Sequence, residues 1–494
     1  MQTCDLLVIG GGINGVGVAR DAAGRGLSVV LVEKSDFAGA TSARTSKMIH
    51  GGLRYLELYE FRLVREALLE REVLLRIAGH LVWPARFIVP HVPELRPRWM
   101  IRIGLFLYDH LGRRVTLPGS HAVRLDTPPY GAGLGRGLRH GFAYSDCRVD
   151  DARLVIATAM SARAHGAEML PRTECISARR ANGLWSVQLR GADGALRELA
   201  ARAIVNVAGP WVKHTLNERL AQPSSEDVRL VKGSHIVVPK LYEGDHAFIL
   251  QNDDRRVIFM IPYEERYTLV GTTDEPYEGD PQRPEASDAE VEYLCRALNR
   301  YLAKPVTPAQ VVWRFAGVRP LYDDGTGDPS AVTRDYTLRV DHVLGAAPVL
   351  SVFGGKLTTH RRLAEEVMQH LAPFFPGLRK AWTGHEALPG SDFGEPGRAA
   401  AKAALATRYP NLPKQVLREV FRRHGTLAGE VLDDARSPAD LGEHYGAGLT
   451  ERELRYFVER EWARSAEDVL WRRSKAGLHL ERAARERVAA ALGA

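Results

Sequence analysis

The segment Gly10-Gly11-Gly12-Ile13-Asn14-Gly15 follows an apolar run, Asp5 to Ile9, and opens a stretch of helical character. Glycines at the first, third and sixth positions permit a tight turn and let backbone N–H groups approach a pyrophosphate. The N-terminus of the following helix then stabilises the negative charge. Glu33 ends a second apolar run about 20 residues on, the position expected to meet a ribose. A carboxylate there accepts hydrogen bonds from a 2′-hydroxyl and repels a 2′-phosphate. Gly10, Gly12, Asn14, Gly15 and Glu33 are therefore candidate contacts for a dinucleotide. The fingerprint alone does not separate NAD from FAD.

A second set of residues suits an anionic substrate. Arg54, Arg319 and Lys356 each sit beside glycines in loop-like text, and Tyr55 adds a neutral hydroxyl donor. A phosphate monoester is a near-dianion, held best by several Arg and Lys through charge-assisted hydrogen bonds. A solvated surface charge is the alternative for each one taken singly. His235 is the first candidate general base, because an imidazole can be uncharged near neutral pH, and His50 is the second. A structural histidine is the alternative reading for either.

The elements that must position these residues follow from patterning. Asp5–Ile9, a helix from about Asn14 to Gly24 and Leu27–Val32 make a βαβ start. The spacing predicts a helix over Phe61–Ile77, another over 150–170, strands within 173–190, and a strand Ala203–Val207. Residues 228–274 alternate strands and turns as an antiparallel sheet does. A strand at 348–353 ends in Gly354-Gly355, and a helix is expected to start near Thr358, so that Gly354, Gly355, Leu357 and Thr358 offer N–H groups to the cofactor. After Leu388-Pro389-Gly390-Ser391 the chain is rich in Ala, Arg, Glu and Leu and reads as a separate helical domain. With 494 residues, 45% of them hydrophobic, two to four domains are expected. The four cysteines, Cys4, Cys147, Cys175 and Cys295, form no CxxC pattern, so no metal site is expected and a reducing compartment fits. The net charge of +7 favours anionic partners, but no clustered Lys/Arg run with interleaved aromatics points to nucleic acid.

Several motifs carry a resemblance. Ala203 to Val207 ending in Ala208-Gly209-Pro210-Trp211 resembles a late motif of the amino-acid-oxidase-like flavoproteins, which hold FAD. Together with the run Thr41-Ser42-Ala43-Arg44-Thr45-Ser46-Lys47, it adds Gly209, Thr41, Ser42, Ser46 and Lys47 to the cofactor candidates. Ser46 to Leu56, then Lys232-Gly233-Ser234-His235 with Gly271-Thr272-Thr273-Asp274, and Gly317-Val318-Arg319-Pro320-Leu321 with Phe353 to Thr359, resemble in that order the respiratory FAD-dependent glycerol-3-phosphate dehydrogenases. The resemblance covers essentially the whole chain. It implies an α/β Rossmann-like FAD-binding domain (1–80, 145–220, 310–388), an antiparallel-sheet cap or substrate domain (81–144, 221–309) and a C-terminal helical domain (389–494). It further implies oxidation of sn-glycerol 3-phosphate to dihydroxyacetone phosphate by hydride transfer to FAD, with electrons passed to membrane ubiquinone. Arg319 then stands with the two histidines at the reacting carbon.

An enzyme that reduces ubiquinone must touch the bilayer. Within 98–114, Trp99, Met100, Ile103, Phe106 and Leu107 belong to a broad apolar surface, and Arg98, Arg102, Asp109 and Arg113 share one helical face, with Arg96 and Arg114 flanking. This pattern is that of an interfacial helix, too short to span. The expectation is a cytoplasmic chain attached peripherally to the inner face of the cytoplasmic membrane. The same segment buried in the cap or at a homodimer contact is the other reading. An oxygen-using glycerol-3-phosphate oxidase, another FAD-dependent oxidase of an anionic substrate, and a flavin-binding regulator without turnover complete the alternatives.

Overall fold

The first apolar run becomes a strand, Gln2–Ile9, with Leu6, Leu7 and Val8 fully buried. A strand covered on both faces needs such a continuous apolar run. It pairs in parallel with Val29–Glu33 on one side and Leu196–Asn206 on the other. Glu168–Pro171 and Val349–Phe353 extend the parallel sheet outwards, and Thr337–Asp341 closes one edge antiparallel. A hairpin, Glu174–Ala181 and Leu184–Arg190, hangs from Leu196–Asn206. Helices Ile13–Gly24, Asp151–Ala164 and His360–Leu371 pack on one face. This computed structural model describes residues 2–92, 97–112, 115–254, 256–323, 335–343, 345–395 and 397–493.

A second sheet runs in the order 275–276, 228–239, 267–271, 257–263, 247–251, 82–90, 140–149, 48–49. It is antiparallel except between Val82–Pro90 and Ala247–Gln251. Asp288–Asn299 covers it, begun by a reciprocal Ser287–Glu290 capping box. The C-terminal part is helical: Gly397–Arg408, Lys414–His424, Ala428–Leu432, Glu451–Arg460 and Arg482–Ala491, with a small ribbon at 444–450.

Three expectations are corrected. The helix expected over 150–170 ends at Ala164, and Glu168–Pro171 joins the first sheet as a strand. The helix expected near Thr358 begins at His360, so Gly354 to Leu357 remain a loop. Trp313–Tyr322, placed by sequence with 310–388 in the FAD-binding part, pairs with Val228–Pro239 over ten positions of the second sheet. Its Gly317 and Pro320 made it read as a loop, yet a strand at a sheet edge tolerates proline because one side of its ladder needs no donor. Arg319 is thus a strand residue.

Candidate active site

The glycine turn and the ends of the first-sheet strands surround a cavity of about 330 Å³. Gly10, Gly12, Asn14, Glu33, Thr41, Ser42, Gly209, Gly354, Gly355, Lys356 and Leu357 all line it. Two glycines are required sterically. Gly10 has φ +122°, and a Cβ there would meet the Val207 carbonyl oxygen at 2.5 Å; a Cβ on Gly15 would lie 1.9 Å from the Gly10 carbonyl oxygen. The Glu33 carboxylate accepts from the Gly11 N–H at 2.7 Å and from the Ser35 N–H and hydroxyl at 2.8 Å each. Ser42 Oγ accepts from the first helical N–H, Ile13, at 3.0 Å, and the Thr41 hydroxyl donates to the Val318 carbonyl at 2.7 Å. Asn14 Nδ2 donates to the Gly354 carbonyl at 3.4 Å, while its buried Oδ1 has no partner.

Ser46 and Lys47 do not line this cavity. The Ser46 hydroxyl meets His235 Nε2 at 2.9 Å. The Lys47 ammonium turns away into a buried ion pair with Asp151 at 2.6 Å and also donates to the Ala43 carbonyl. His235 is buried, stacked on Phe315 at 4.9 Å and 8°, and its Nδ1 has no partner. Burial, then the charges of Arg319 and Lys47, hold its pKa well below the ordinary histidine value. Arg319 donates to Asp274 at 2.8 Å and to the Thr272 hydroxyl at 3.3 Å. The Lys356 ammonium lies 4.1 Å from the Tyr55 ring centre. Arg54 is exposed on the same short turn, Leu53–Leu58. The His50 N–H donates to the Thr358 hydroxyl at 3.3 Å, and its ring edges Phe259, which lies opposite Gly271 in the sheet. Gly271 in turn lies opposite His235.

Residues 5–361 match the family model described as FAD dependent oxidoreductase, and 381–493 match the C-terminal domain of alpha-glycerophosphate oxidase. A glycerol-3-phosphate dehydrogenase of Pseudomonas aeruginosa is 54% identical, over 97% of this chain and 93% of that one. The chain belongs to the FAD-dependent glycerol-3-phosphate dehydrogenase family. A D-erythritol 1-phosphate dehydrogenase of Brucella abortus is 51% identical, over 98% of this chain and 96% of that one. The family's glycerol-3-phosphate dehydrogenase from Bacillus halodurans, solved with FAD, superposes with a TM-score of 0.76 at 25% identity, covering 99% of this chain and 94% of that chain. The local chemistry fits that cofactor: a side-chain-free turn, an unpartnered amide oxygen and a carboxylate at the second strand end all face one cavity.

In this family member, sequence reasoning missed the supports. Tyr108, on the helix Arg98–Leu111, donates to Asp146 at 2.6 Å and accepts the Gly51 N–H at 2.8 Å, and Arg71 pairs with Asp146 at 2.6 Å. This buried chain fixes the loop that carries His50, Arg54 and Tyr55. A second support is aromatic: Trp471 of the helical domain stacks on Trp313 at 4.7 Å, Trp313 meets Phe315 at 4.7 Å, and Phe315 carries His235. The alternation of Trp313 and Phe315 two residues apart was a legible sign of one strand face; their partner in the C-terminal domain was not.

Proposed function

We propose that this chain oxidises sn-glycerol 3-phosphate to dihydroxyacetone phosphate and delivers the electrons to ubiquinone at a membrane surface. The observation that carries the first part is the buried His235, held by Ser46 and kept uncharged beside Arg319. FAD, when bound, supplies the acceptor for the hydride from C2. His235 takes the C2 hydroxyl proton on its ring. Arg319, steadied by Asp274, supplies positive charge where that oxygen develops negative charge. Lys356, Tyr55 and Arg54 hold the phosphate, and His50 borders the same space from the loop tied to Thr358. The substrate named for the Brucella relative, D-erythritol 1-phosphate, has the same phosphate end and a longer polyol.

The membrane part is supported by exposure. Of the helix Arg98–Leu111, only Leu105 and Tyr108 are buried, whereas Trp99 is 63% exposed and Ile103 and Phe106 52% each. Leu58, Tyr59 and Phe61 are exposed nearby in sequence to the turn that packs on this helix. An apolar surface of this kind marks an interaction site. Arg102 is bonded to Ser120, leaving Arg98 at the basic edge; Arg96, Arg113 and Arg114 lie outside the described residues. Among the described residues no helix is long and apolar enough to cross a membrane. Docking to the inner face of the cytoplasmic membrane is the arrangement this supports.

The test is anaerobic mixing of the purified flavoprotein with each substrate. The expected result is bleaching of the flavin band by sn-glycerol 3-phosphate, with reoxidation by a short-chain ubiquinone faster than by oxygen. Faster bleaching by D-erythritol 1-phosphate would transfer the assignment to that substrate. Reoxidation by oxygen at the turnover rate, with hydrogen peroxide formed, would make the chain an oxidase.

A further inference from the structure

His235 rests on Phe315, the residue directly opposite it in the neighbouring strand, with the rings 4.9 Å apart and 8° from parallel. Its other cross-strand neighbour is Gly271, where a Cβ would come within 2.2 Å of the imidazole Cδ2. One neighbour is therefore bare backbone, and the ring is placed by Phe315 and by the Ser46 hydroxyl. Phe315 in turn meets Trp313, two residues back on the same strand face, at 4.7 Å. Among the described residues the strand Trp313–Tyr322 pairs only with the sheet's longest strand, Val228–Pro239, and so forms an edge. Its ladder is bonded on one side only. What backs the Trp313 ring is Trp471, 4.7 Å away and 20° from parallel. Trp471 belongs to the helical domain, and its packing is shared between that domain's core and the core of the second sheet.

The turn that presents Trp471, Asp468–Arg473, is fixed at a second point. Arg472 and Arg473 donate to Asp36 at 2.6 and 2.5 Å. Asp36 precedes Phe37, the side chain that a Cβ on Gly11 would strike at 2.6 Å, so Asp36 lies in the loop behind the glycine turn of the cofactor cavity. Trp462 meets the same Phe37 edge-on at 5.1 Å. Three successive residues of one turn thus hold the strand pair that carries His235 and the loop that backs the cofactor cavity.

We propose that Trp471 is a positioning residue for the oxidation: by backing the Trp313–Phe315–His235 stack it holds the imidazole in place against the cofactor cavity. The helical domain thereby takes part in proton removal without touching the substrate. This rests on His235 being the base. A base works only within hydrogen-bond reach of the proton it takes, and a misplacement of about 1 Å can cost about 10²-fold. Leucine at 471 leaves a gap behind Trp313 into which the stack relaxes, whereas phenylalanine keeps an aromatic face there.

The experiment is stopped-flow reduction of the full-length, flavin-loaded protein by sn-glycerol 3-phosphate, with rates taken per bound flavin. Trp471→Leu is expected to slow flavin reduction at saturating substrate at least about 10-fold. The half-saturating substrate concentration should change little, because the residues proposed to hold the phosphate lie on other elements. Trp471→Phe should recover most of the rate. In a His235→Ala background, Trp471→Leu should add less than about 2-fold, since residues acting through one step are not additive. Val488→Ala, which opens the helical domain's core on its last helix, should lower Tm yet leave the rate as in wild type. Trp313→Leu leaves the helical domain's own core intact; it should reproduce the loss, and it decides the matter should Trp471→Leu not fold. Wild-type rates in Trp471→Leu and Trp313→Leu, with His235→Ala slow, overturn the proposal and leave the base assignment standing. A wild-type rate in His235→Ala removes the base assignment, and the proposal falls with it. Equal losses from Trp471→Leu with and without His235, or a matching loss in Val488→Ala, assign the effect to general loosening of the fold and overturn the proposal as well.

Discussion

His235 shows how a single imidazole is prepared by its surroundings. Its burial and the charges of Arg319 and Lys47 lower its pKa, so it is uncharged through the neutral range and ready to accept a proton. The acidic limb of kcat/KM for sn-glycerol 3-phosphate should therefore lie below the ordinary histidine value, and Lys47→Met should move it upward. Because a positioned base contributes about 10²–10⁴-fold, His235→Ala should slow flavin reduction by that order in stopped-flow single turnovers while the flavin stays bound. If His50→Ala alone produces the loss, the roles of the two rings are exchanged. At this scale the sequence displayed residue types well and directions poorly. His235, Arg319 and Lys356 were readable from motif text. Ser46 and Lys47, read as cofactor contacts, meet His235 and Asp151 outside the cofactor cavity; the chain bends at Lys47, which has φ +58°, and a bend of that kind leaves no periodic signal in the sequence.

The helix Arg98–Leu111 is the element on which the membrane proposal rests. Burying Ile103 or Leu107 in an interface contributes roughly 1.5–3 kcal/mol each when complete. The double variant Ile103→Asp, Leu107→Asp should lose co-sedimentation with anionic vesicles and lose ubiquinone reduction. It should still pass electrons from sn-glycerol 3-phosphate to a soluble dye. A folded variant that binds vesicles normally would move the contact elsewhere on the chain. The amphipathic pattern was legible because alternation of apolar and charged residues at helical spacing is a local signal. The inward role of Tyr108 was not, since Asp146 and Gly51 reach it only through tertiary packing. For the same reason Trp313–Tyr322 was mistaken for loop: its ten pairings belong to a strand some eighty residues earlier.

Across the whole molecule, the helical domain is fastened to the nucleotide-binding part by buried charges. Asp36, just beyond Glu33, accepts from Arg472 at 2.6 Å and from Arg473 at 2.5 and 2.9 Å. Arg153 pairs with the fully buried Glu461. Burial would raise the Glu461 carboxyl, but Arg153 and His424 outweigh it and hold the pKa down to about 2. A depressed carboxyl pKa stabilises the fold above the ordinary glutamate value, and that contribution is lost as pH falls toward 2. It is on the order of 3 kcal/mol at neutral pH. The melting-temperature gap between wild type and Glu461→Gln should therefore be widest near neutrality and close on acidification; a constant gap would remove Glu461 from acid sensitivity. The sequence marked the break at 388–391 but not these fastenings, whose partners are hundreds of residues apart. The stacked Trp471 and Trp313 add an optical consequence. Two indoles at that separation couple through their strong far-ultraviolet transition, giving a paired dichroism band that vanishes when the helical domain lifts. Their emission overlaps flavin absorption, so detachment would be visible as brightening of tryptophan fluorescence, and because the same stack backs Phe315 and His235 it should be accompanied by slower flavin reduction.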